Sequence, residues 1–472
     1  MILKRIIGEE FENIVATLQD FIKIPSIEGE PKKNMPFGEA VDQALENALA
    51  LGKKMGFRTR NIDHYAGEIE FGDGNETIGI LVHLDVVPVG EGWNYPPFAA
   101  EIHQGKVYGR GSIDNKSSFV TCLYAMKAIK ESQLPLKRKI RMILGTNEET
   151  RWEGIEYYLS KNKEPDFSIV PDANFPVLQG EKGVLVLDLN QGFSDNSERK
   201  SILIGIVGGV AVNSVPDSCK VRLDRNSVAK EQLENLRSSF DFSFSFDSEE
   251  DHLICNFKGK SAHACVPEDG LNAISLAFGF LDEICSQNDP ARSFIDWYRS
   301  AIGMEFNGES LGCGFEDEIS GKLTLNVGRI RWDVQGVAIS LDIRYPLTIP
   351  IDEVVAGINN ELQPTDITFK ISNKIAPIYF ESDHFLIQTL LDIYQRETGD
   401  FESKPTIIGG ATYARAIKNA VAFGPEFPGD QFAAHLKDEY VALERLKQCA
   451  NIYTQAIYEL AKQEKNVKKN HD

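Results

Sequence analysis

The feature that most restricts the fold is an apolar run from Ile78 to Val87, in which His83 and Asp85 are the only polar side chains. A run that is apolar on both faces is typical of a strand inside a parallel sheet, because helices cover both faces of such a sheet. Up to about residue 180, similar runs alternate with segments of helical periodicity. This alternation predicts an α/β domain with a doubly wound, mixed sheet. We expect helices at 9–22, 38–56 and 119–131, and strands at 78–87, 139–145 and 167–170.

The pattern changes in the middle of the chain and later returns. Strand patterns with helices between them indicate an α+β insertion, and the α/β style resumes after residue 375. The expected strands are 184–189, 201–207, 220–223, 252–258, 324–333, 336–345 and 421–423, and the expected helices are 229–240, 271–287, 384–398 and 441–463. We therefore predict one α/β domain formed by residues 1–181 and 378–472, which is interrupted by a smaller α+β domain at 182–377.

Composition excludes several classes of protein. A length of 472 residues suggests two large units or a domain with an insertion. The formal net charge of -20 argues against a nucleic-acid or anionic-membrane surface, since both favour an excess of Lys and Arg. The seven cysteines are scattered without a CxxC pair, which is typical of reduced thiols and not of a disulfide framework or a cysteine-based zinc finger. Because we find neither a signal-peptide pattern nor an apolar run of about 18 residues, we expect a cytoplasmic protein with no membrane partner.

The two polar residues of the first apolar run are candidate functional residues. Ligands of an open α/β sheet bind beyond the carboxyl ends of its strands. His83 and Asp85 are two positions apart, so on a strand their side chains share a face. A carboxylate beside an imidazole fixes its tautomer, as it does behind metal-bound histidines. The alternative is an antiparallel strand with one solvated face, and the apolar character of both faces argues against it.

Carboxylates also follow other strands and turns. Asp114 comes after a turn with two glycines; its two oxygens could bridge two cations, or it could simply cap the helix that begins near Ser117. Glu148 and Glu149 follow the strand at 139–145. Adjacent carboxylates there need a cation or a raised pKa, although an exposed loop would also tolerate them. We interpret Glu149 as a metal ligand and Glu148 as a general base.

Two further residues complete a set of metal ligands. Asp172 follows a short apolar strand, and His435 shortly precedes the last helix. With His83, Asp114 and Glu149 they form a mixed set of two histidines and three carboxylates. Such a set suits Zn²⁺, Mn²⁺ or Co²⁺ and not a thiolate site. Five other histidines are interpreted as ordinary surface or core residues: His64, His103, His252, His384 and His471.

The order of these motifs resembles that of the M20 metallopeptidase family, and in particular its PepV-like bacterial dipeptidases. The resemblance runs nearly end to end and includes the inserted domain. The matching motifs are HLD at 83–85, GRGSIDNK at 109–116, NEET at 147–150, PDA at 171–173, GKSAHA at 259–264, DIRYP at 342–346, GGATYAR at 409–415 and FGPEFPGDQFAAH at 423–435. Any one of them is weak, but eight in the same order are highly specific.

The resemblance implies a catalytic domain that holds two divalent metal ions, with Zn²⁺ as the first choice and Mn²⁺ or Co²⁺ as alternatives. The ligands would be His83, Asp114 and Asp172 for one ion, and Asp114, Glu149 and His435 for the other. Asp85 would support His83, and Glu148 would act as the general base on a metal-bridging water.

The inserted domain would act as a lid that binds the substrate. The resemblance implies that His263 polarises the scissile carbonyl and stabilises its oxyanion. It also implies that Asn213 and Arg344 grip the substrate. The planar guanidinium of Arg344 suits a terminal carboxylate, to which the turn of Gly409 and Gly410 would also offer N–H groups.

The implied function is the hydrolysis of dipeptides. The alternatives are an N-acyl-amino-acid deacylase or related amidohydrolase of the same family, and a non-catalytic metal- or peptide-binding relative. The doubled strand-and-helix pattern of the insertion could mimic the lid pairing of some relatives within one chain, so we expect a monomer, with a dimer as the alternative. The chain departs from the family pattern at Asn147, Ser117 and Ala411, where the family often has Asp, Gly and Gly; the change at Ala411 bears on specificity more than on chemistry.

Overall fold

A computed structural model of the chain describes residues 1–193, 201–228, 230–240, 244–249, 252–431 and 433–462. The polar, Lys-rich tail that begins at Gln463 lies outside these residues. The chain divides into two compact units. The first unit comprises Met1–Gln179, Phe380–Thr406 and Thr412–Asp472, and the second comprises Gly180–Tyr379 and Ile407–Ala411.

The first unit contains the predicted mixed sheet. Its strand order is Arg58–Ile62, Ala66–Phe71, Lys139–Gly145, Thr77–His83, Phe167–Val170 and Ala420–Ala422. The last four strands in this order are parallel to one another, and the first two form an antiparallel hairpin at one edge. All residues of Thr77–His83 are buried, as expected for a strand inside such a sheet. The predicted α/β fold class is therefore confirmed.

The central strand is shorter than the sequence predicts. It ends at His83, and residues 84–87 belong to no strand. The N–H of Leu84 still donates to the carbonyl of Gly145, but the N–H of Val86 donates to Ser26, which lies outside the sheet. The expectation that Asp85 lies on this strand is wrong, because the backbone has left the sheet at that point.

The edge hairpin was not predicted from the sequence. Arg58–Ile62 has the sequence RTRNI, in which only the last residue is apolar and buried, so it carries too few apolar residues to be recognised as a strand. Its position depends on cross-strand pairing with Ala66–Phe71 and on the contact of Arg60 with Glu68 at 3.1 Å.

The helices of the first unit are amphipathic or wholly buried. They are Ile2–Ile22, Glu39–Lys54, Lys116–Ser132, Glu153–Lys161, Phe385–Thr398 and Leu443–Lys462, with a short 3₁₀ turn at Tyr413–Arg415. The short strands of this unit are Ile102–His103, Lys106–Tyr108, Ala173–Asn174, Pro425–Glu426 and Tyr440–Ala442. Lys116–Ser132 packs between the first and last helices and against the central strand, which explains why nearly all of it is buried. Its N-terminus therefore lies at a fixed place next to the sheet.

The second unit is built on one antiparallel sheet of eight strands. The strand order is Phe244–Glu249, His252–Lys258, Ser218–Asp224, Leu203–Gly208, Thr324–Asp333, Gly336–Tyr345, Gly183–Gly192 and Thr368–Ile375. Its helices are Lys230–Ser239, Ala273–Ile284, Arg292–Ala301 and Ile351–Leu362, with a 3₁₀ turn at Pro267–Asp269. Shorter strands lie at Glu316–Asp317, Gly321–Lys322 and Ile378–Tyr379, and Leu178–Glu181 and Thr406–Ile408 each run across a boundary between the two units. The sequence did not predict the last two helices or the two edge strands of the large sheet.

The segment Ile407–Ala411 corrects the expected domain boundaries. We expected it with residues 378–472 in the α/β domain, but it belongs to the second unit. Two hydrogen bonds within that unit hold it: the N–H of Lys182 donates to the carbonyl of Ile408 at 2.9 Å, and Nη1 of Arg344 donates to the carbonyl of Gly409 at 2.7 Å. Among the helices of the described residues, none combines the length and the apolar surface that a bilayer-spanning segment requires.

Candidate metal centre

The five predicted metal ligands all lie in the first unit, and three of them follow parallel strands. His83 is the last residue of its strand, Asp172 comes two residues after Val170, and Glu149 comes four residues after Gly145. Parallel strands end at the same edge of a sheet, which is where ligands of such folds bind. The other two ligands, Asp114 and His435, come from segments without regular structure.

One ligand group consists of His83, Asp114 and Asp172. Nε2 of His83 lies 2.9 Å from Oδ1 of Asp114 and 3.7 Å from Oδ1 of Asp172. One ligand atom from each of the three residues lies within 4.8 Å of the others. His83 is 1% exposed, so this group sits at the buried end of the strand.

A second ligand group shares Asp114 with the first. Nε2 of His435 lies 2.9 Å from Oδ2 of Asp114 and 3.0 Å from Oε2 of Glu149. The ligand atoms of these three residues also lie within 4.8 Å of one another. Asp114 thus presents one oxygen to each histidine, which is the arrangement expected of a carboxylate that bridges two cations.

Asp85 reaches His83 from the loop after the strand. Its backbone carbonyl lies 3.0 Å from Nδ1 of His83, and its Oδ1 lies 3.5 Å from the same nitrogen. Its Oδ2 accepts the N–H of Glu149 at 3.1 Å. A proton held on Nδ1 by the carbonyl leaves the lone pair of Nε2 directed at the ligand group. Asp85 therefore links one predicted ligand to another.

The protonation of the centre fits a site for cations. Burial raises the pKa of Glu148 well above its ordinary value, and the charge of Asp172 adds to this effect. Burial and the charge of Asp114 raise the pKa of Glu149 to about 7. Burial opposes the charged form of His435, yet hydrogen bonds to Asp114 and Glu149 raise its pKa to about 11. Protons thus offset an excess of buried negative charge that divalent cations would also offset, since metal binding displaces such protons.

Two residues near the centre were not singled out from the sequence. Nδ2 of Asn115 donates to Oδ1 of Asp172 at 2.8 Å and to the carbonyl of Pro171 at 2.7 Å, so it orients a predicted ligand. Burial and the charges of Asp114 and Asp172 raise the pKa of Glu426 to about 7. Both residues lie within the quoted motifs, but a motif alone does not show which of its polar members face a site.

The departures from the family pattern have simple structural accounts at two positions. Oδ1 of Asn147 accepts the N–H of Gly154 at 2.9 Å, a contact that an aspartate would make equally well. The hydroxyl of Ser117 donates to the carbonyl of Ile113 at 3.1 Å. Neither side chain displaces one of the predicted ligands.

Two of the other histidines have evident local partners. Nδ1 of His384 accepts the N–H of Leu386 at 3.4 Å and caps the helix that follows. Nδ1 of His64 lies 2.6 Å from Oδ1 of Asp42. With Glu46 these two residues form a third His and carboxylate group, separate from the two that share Asp114.

The predicted substrate-binding residues Asn213, His263, Arg344, Gly409 and Gly410 all lie in the second unit. Two of them, Asn213 and His263, lie on segments that pair through backbone hydrogen bonds. The N–H of Ala264 donates to the carbonyl of Asn213 at 3.0 Å, and the N–H of Val215 donates to that of Ala262 at 2.9 Å. In this antiparallel pairing Ser214 lies opposite His263, and Asn213 lies opposite Ala264.

His263 is held in one tautomer. The N–H of Cys265 donates to Nδ1 of His263 at 3.2 Å, and Sγ of Cys265 lies 2.8 Å from the same nitrogen. Because Nδ1 accepts a hydrogen bond, the ring proton of the neutral imidazole is on Nε2. His263 can therefore donate a hydrogen bond through Nε2.

Arg344 already has a carboxylate partner within its own unit. Its Nε and Nη2 donate to the two oxygens of Asp342 at 2.5 and 2.8 Å, and its Nη1 donates to the carbonyl of Gly409. These contacts use three of the five N–H groups of the guanidinium and leave two for another ligand. Arg344 thus makes with Asp342 the bidentate contact that we expected it to make with a substrate carboxylate.

Comparison with known proteins gives a consistent result for the sequence. A family model described as "Peptidase family M20/M25/M40" matches residues 79–459. The chain is 37% identical over 458 residues to the Bacillus subtilis (strain 168) protein named "Putative dipeptidase YtjP", with 96% of this chain and 98% of that protein covered. It is 31% identical over 467 residues to a protein named as a dipeptidase in the same way, from Staphylococcus haemolyticus (strain JCSC1435), with 96% and 98% covered.

Solved structures share the fold at low sequence identity. Human carnosine dipeptidase 1 is similar with a TM-score of 0.62 at 14% identity, covering 98% of this chain and 99% of that chain. The di-peptidase Dug1p of Saccharomyces cerevisiae is similar with a TM-score of 0.57 at 12% identity, covering 97% and 98%. At these identities the likeness concerns the fold alone.

Proposed function

The chain belongs to peptidase family M20/M25/M40, and within that family we propose that it is a dipeptidase that uses two metal ions. The observation that carries this proposal is the pair of ligand groups that share Asp114. A single carboxylate between two histidines, each with a second carboxylate, is the donor set of a two-metal hydrolase. The names of the relatives favour dipeptides as the substrates.

The two groups would each hold one divalent cation. Zn²⁺ is our first choice because imidazole nitrogen and carboxylate oxygen together suit it, with Mn²⁺ or Co²⁺ as alternatives. Cations bound there would supply Lewis acidity to a substrate carbonyl and would lower the pKa of a bound water. Asp85 would keep His83 in the tautomer that leaves Nε2 free for a ligand role.

Glu148 is the proposed general base. It is the carboxylate beside Glu149 that belongs to neither ligand group, and burial raises its pKa well above its ordinary value. A carboxylate with a raised pKa can take a proton from the attacking water and return it to the departing amine near neutral pH.

The second unit would supply the groups that bind the substrate. We propose that His263 donates its Nε2–H to the carbonyl oxygen on which negative charge develops. Asn213 would bind a polar group of the peptide. The two remaining N–H groups of Arg344 and the turn of Gly409 and Gly410 would bind the terminal carboxylate.

The proposal is tested with metal-stripped protein to which Zn²⁺ or Mn²⁺ is added back. We expect elemental analysis to find two ions per chain. We also expect the protein to hydrolyse dipeptides faster than N-acetyl- and N-succinyl-amino acids. A preference for the acylated amino acids would assign the deacylase alternative. Absence of turnover with both metals would leave only a metal- or peptide-binding role. The variant Asp42→Asn, which alters the third His and carboxylate group, controls for ions bound outside the centre.

The proposal extends to the oligomeric state, the partners and the location of the protein. We propose a monomer, with a dimer as the alternative, and peptides as the only partners, since a net charge of -20 does not suit nucleic acid. All seven cysteines are free, and six of them are buried, which favours the reducing cytoplasm as the location.

A further inference from the structure

A buried ion pair connects two segments that carry ligands of the proposed centre. Arg110 is 1% exposed and Glu439 is fully buried. Nη1 of Arg110 lies 2.6 Å from Oε2 of Glu439, although the two residues are 329 positions apart in the chain. A pair so far from solvent needs further hydrogen bonds to offset its desolvation. Those bonds go to backbone groups next to metal ligands.

Glu439 holds the backbone at the shared ligand. Its Oε1 accepts the N–H of Ile113 at 3.0 Å and the N–H of Asp114 at 3.3 Å. Both N–H groups come just before the helix Lys116–Ser132 begins. The carboxylate therefore fixes where the chain enters that helix, and with it the start of the Asp114 side chain.

Arg110 holds the backbone at His435. Its Nη2 donates to the carbonyl of His435 at 3.2 Å, and its Nη1 donates to that of Leu436 at 3.3 Å. A third bond runs from Nη2 to the carbonyl of Pro88 at 3.3 Å. One guanidinium thus joins the segment after the central strand to the segment that carries His435.

The two ligand groups depend on this pair to different degrees. His83 ends a buried strand and Asp172 follows another, so the sheet itself places them. His435 lies in no helix or strand, has a φ of 61°, and has a side chain that is 47% exposed. Its position rests on individual contacts such as those with Arg110, because no regular structure holds it.

We propose that Arg110 and Glu439 are positioning residues that hold His435 and Asp114, and that loss of the Arg110 contacts weakens the Asp114–Glu149–His435 ion much more than the His83–Asp114–Asp172 ion. The inference rests on the proposed two-metal function. It adds that the two ions differ in their dependence on a single buried arginine. Loss of a group that orients metal ligands typically lowers metal affinity about 10–100-fold.

The test is a zinc titration of the metal-free full chain against a competing chromophoric chelator. Arg110→Lys keeps a charge next to Glu439 but cannot reach that carboxylate and the carbonyls of residues 435 and 436 together. We expect the wild type to bind two ions tightly. The variant should retain one at wild-type affinity and bind the other about 10–100-fold more weakly. The matched control is Arg138→Lys, since Arg138 is another buried arginine of this unit, 2.7 Å from a carboxylate oxygen of Glu76. It should bind both ions as the wild type does.

A second variant guards against misfolding. Replacing both members, as in Arg110→Met with Glu439→Gln, leaves no unpaired buried charge. The amide oxygen of the glutamine still accepts the N–H groups of Ile113 and Asp114, so only the contacts of Arg110 are lost. The double variant should show the same selective loss, with a far-ultraviolet circular dichroism spectrum like that of the wild type. Two ions bound at wild-type affinity in either folded variant, or equal weakening of both ions, would overturn the inference. If the wild type itself fails to bind two ions, the proposed function is what fails.

Discussion

The predicted metal ligands of the first unit and the predicted substrate-binding residues of the second unit differ in how their charges are compensated. In the first unit, burial and neighbouring charges raise the pKa of Glu148 and of Glu149, and the histidines are the positive groups that face them. In the second unit, Arg344 has both a carboxylate and a carbonyl as partners. The first arrangement is suited to receive added positive charge. The second is already neutralised, so we expect its groups to act through their orientation.

The largest effect is expected when the shared carboxylate of Asp114 is removed. Asp114→Asn keeps the shape of the side chain but replaces one acceptor oxygen with a donor, which faces either His83 or His435. We expect loss of both ions and of all measurable turnover, checked by elemental analysis and a dipeptide assay. Asp42→Asn, at the third group, should leave two ions and full activity. An active Asp114→Asn enzyme with two ions would remove the basis of the comparison.

The next test asks whether the carboxylate of Glu148 serves catalysis and not metal binding. Glu148→Gln removes the proposed base without removing a member of either ligand group. We expect kcat to fall about 10²–10⁴-fold, which is the usual contribution of general acid–base catalysis. The metal content should stay at two ions per chain. If the variant keeps its activity, Glu148 is not the general base and contributes only negative charge to the centre.

A substitution in the second unit should change turnover and leave the ions in place. His263→Ala removes the ring whose proton the contact with Cys265 places on Nε2. We expect kcat to fall about 10²–10³-fold, as for the loss of one oxyanion donor. His252→Ala, on a strand of the same unit, is the control and should behave as the wild type. If His263→Ala instead releases a metal ion, the second unit is not limited to the orienting role described above.

The smallest expected effect concerns a buried amide that holds the Asn213 segment. Nδ2 of Asn326 donates to the carbonyls of Val212 and Ser214 at 3.1 and 2.9 Å. Asn326→Asp turns both bonds into contacts between acceptors, which should cost about 1–3 kcal/mol in the free energy of unfolding. We also expect kcat/KM for dipeptides to fall roughly 10-fold, in line with a loss of about 1.4 kcal/mol of transition-state binding. Asn190→Asp, at an exposed bond to the carbonyl of Asp188, is the control for the added charge. Equal activity of the two variants would show that orientation of this segment is unimportant.

Several features of the fold were predictable because local sequence carries them. The strands Lys139–Gly145, Phe167–Val170 and His252–Lys258 begin and end where their apolar patterns do. The five predicted ligands come together because they follow strands or turns at one edge of the sheet. The family and its peptidase activity were also predicted from the order of the motifs, and both are confirmed.

The ion pair of Asp342 and Arg344 also has a signal in the sequence. Asp342 and Arg344 are two positions apart on a strand, so their side chains share a face, and an ion pair between them could have been predicted. The same spacing rule was applied to His83 and Asp85, where the strand had already ended. The rule holds only while the backbone stays extended, and sequence alone places strand ends poorly.

The sequence by itself determined the fold class, the family and the residue types of the proposed centre, because apolar periodicity and short motifs are local properties of the chain. Only the tertiary structure showed that Asp114 contacts both His83 and His435 and that Arg344 forms an ion pair with Asp342. It also showed that Ile407–Ala411 belongs to the second unit. It also revealed Glu439 behind Asp114. These facts depend on pairing between distant segments, which is set by burial and hydrogen bonding in the folded chain and leaves no periodic pattern in the sequence.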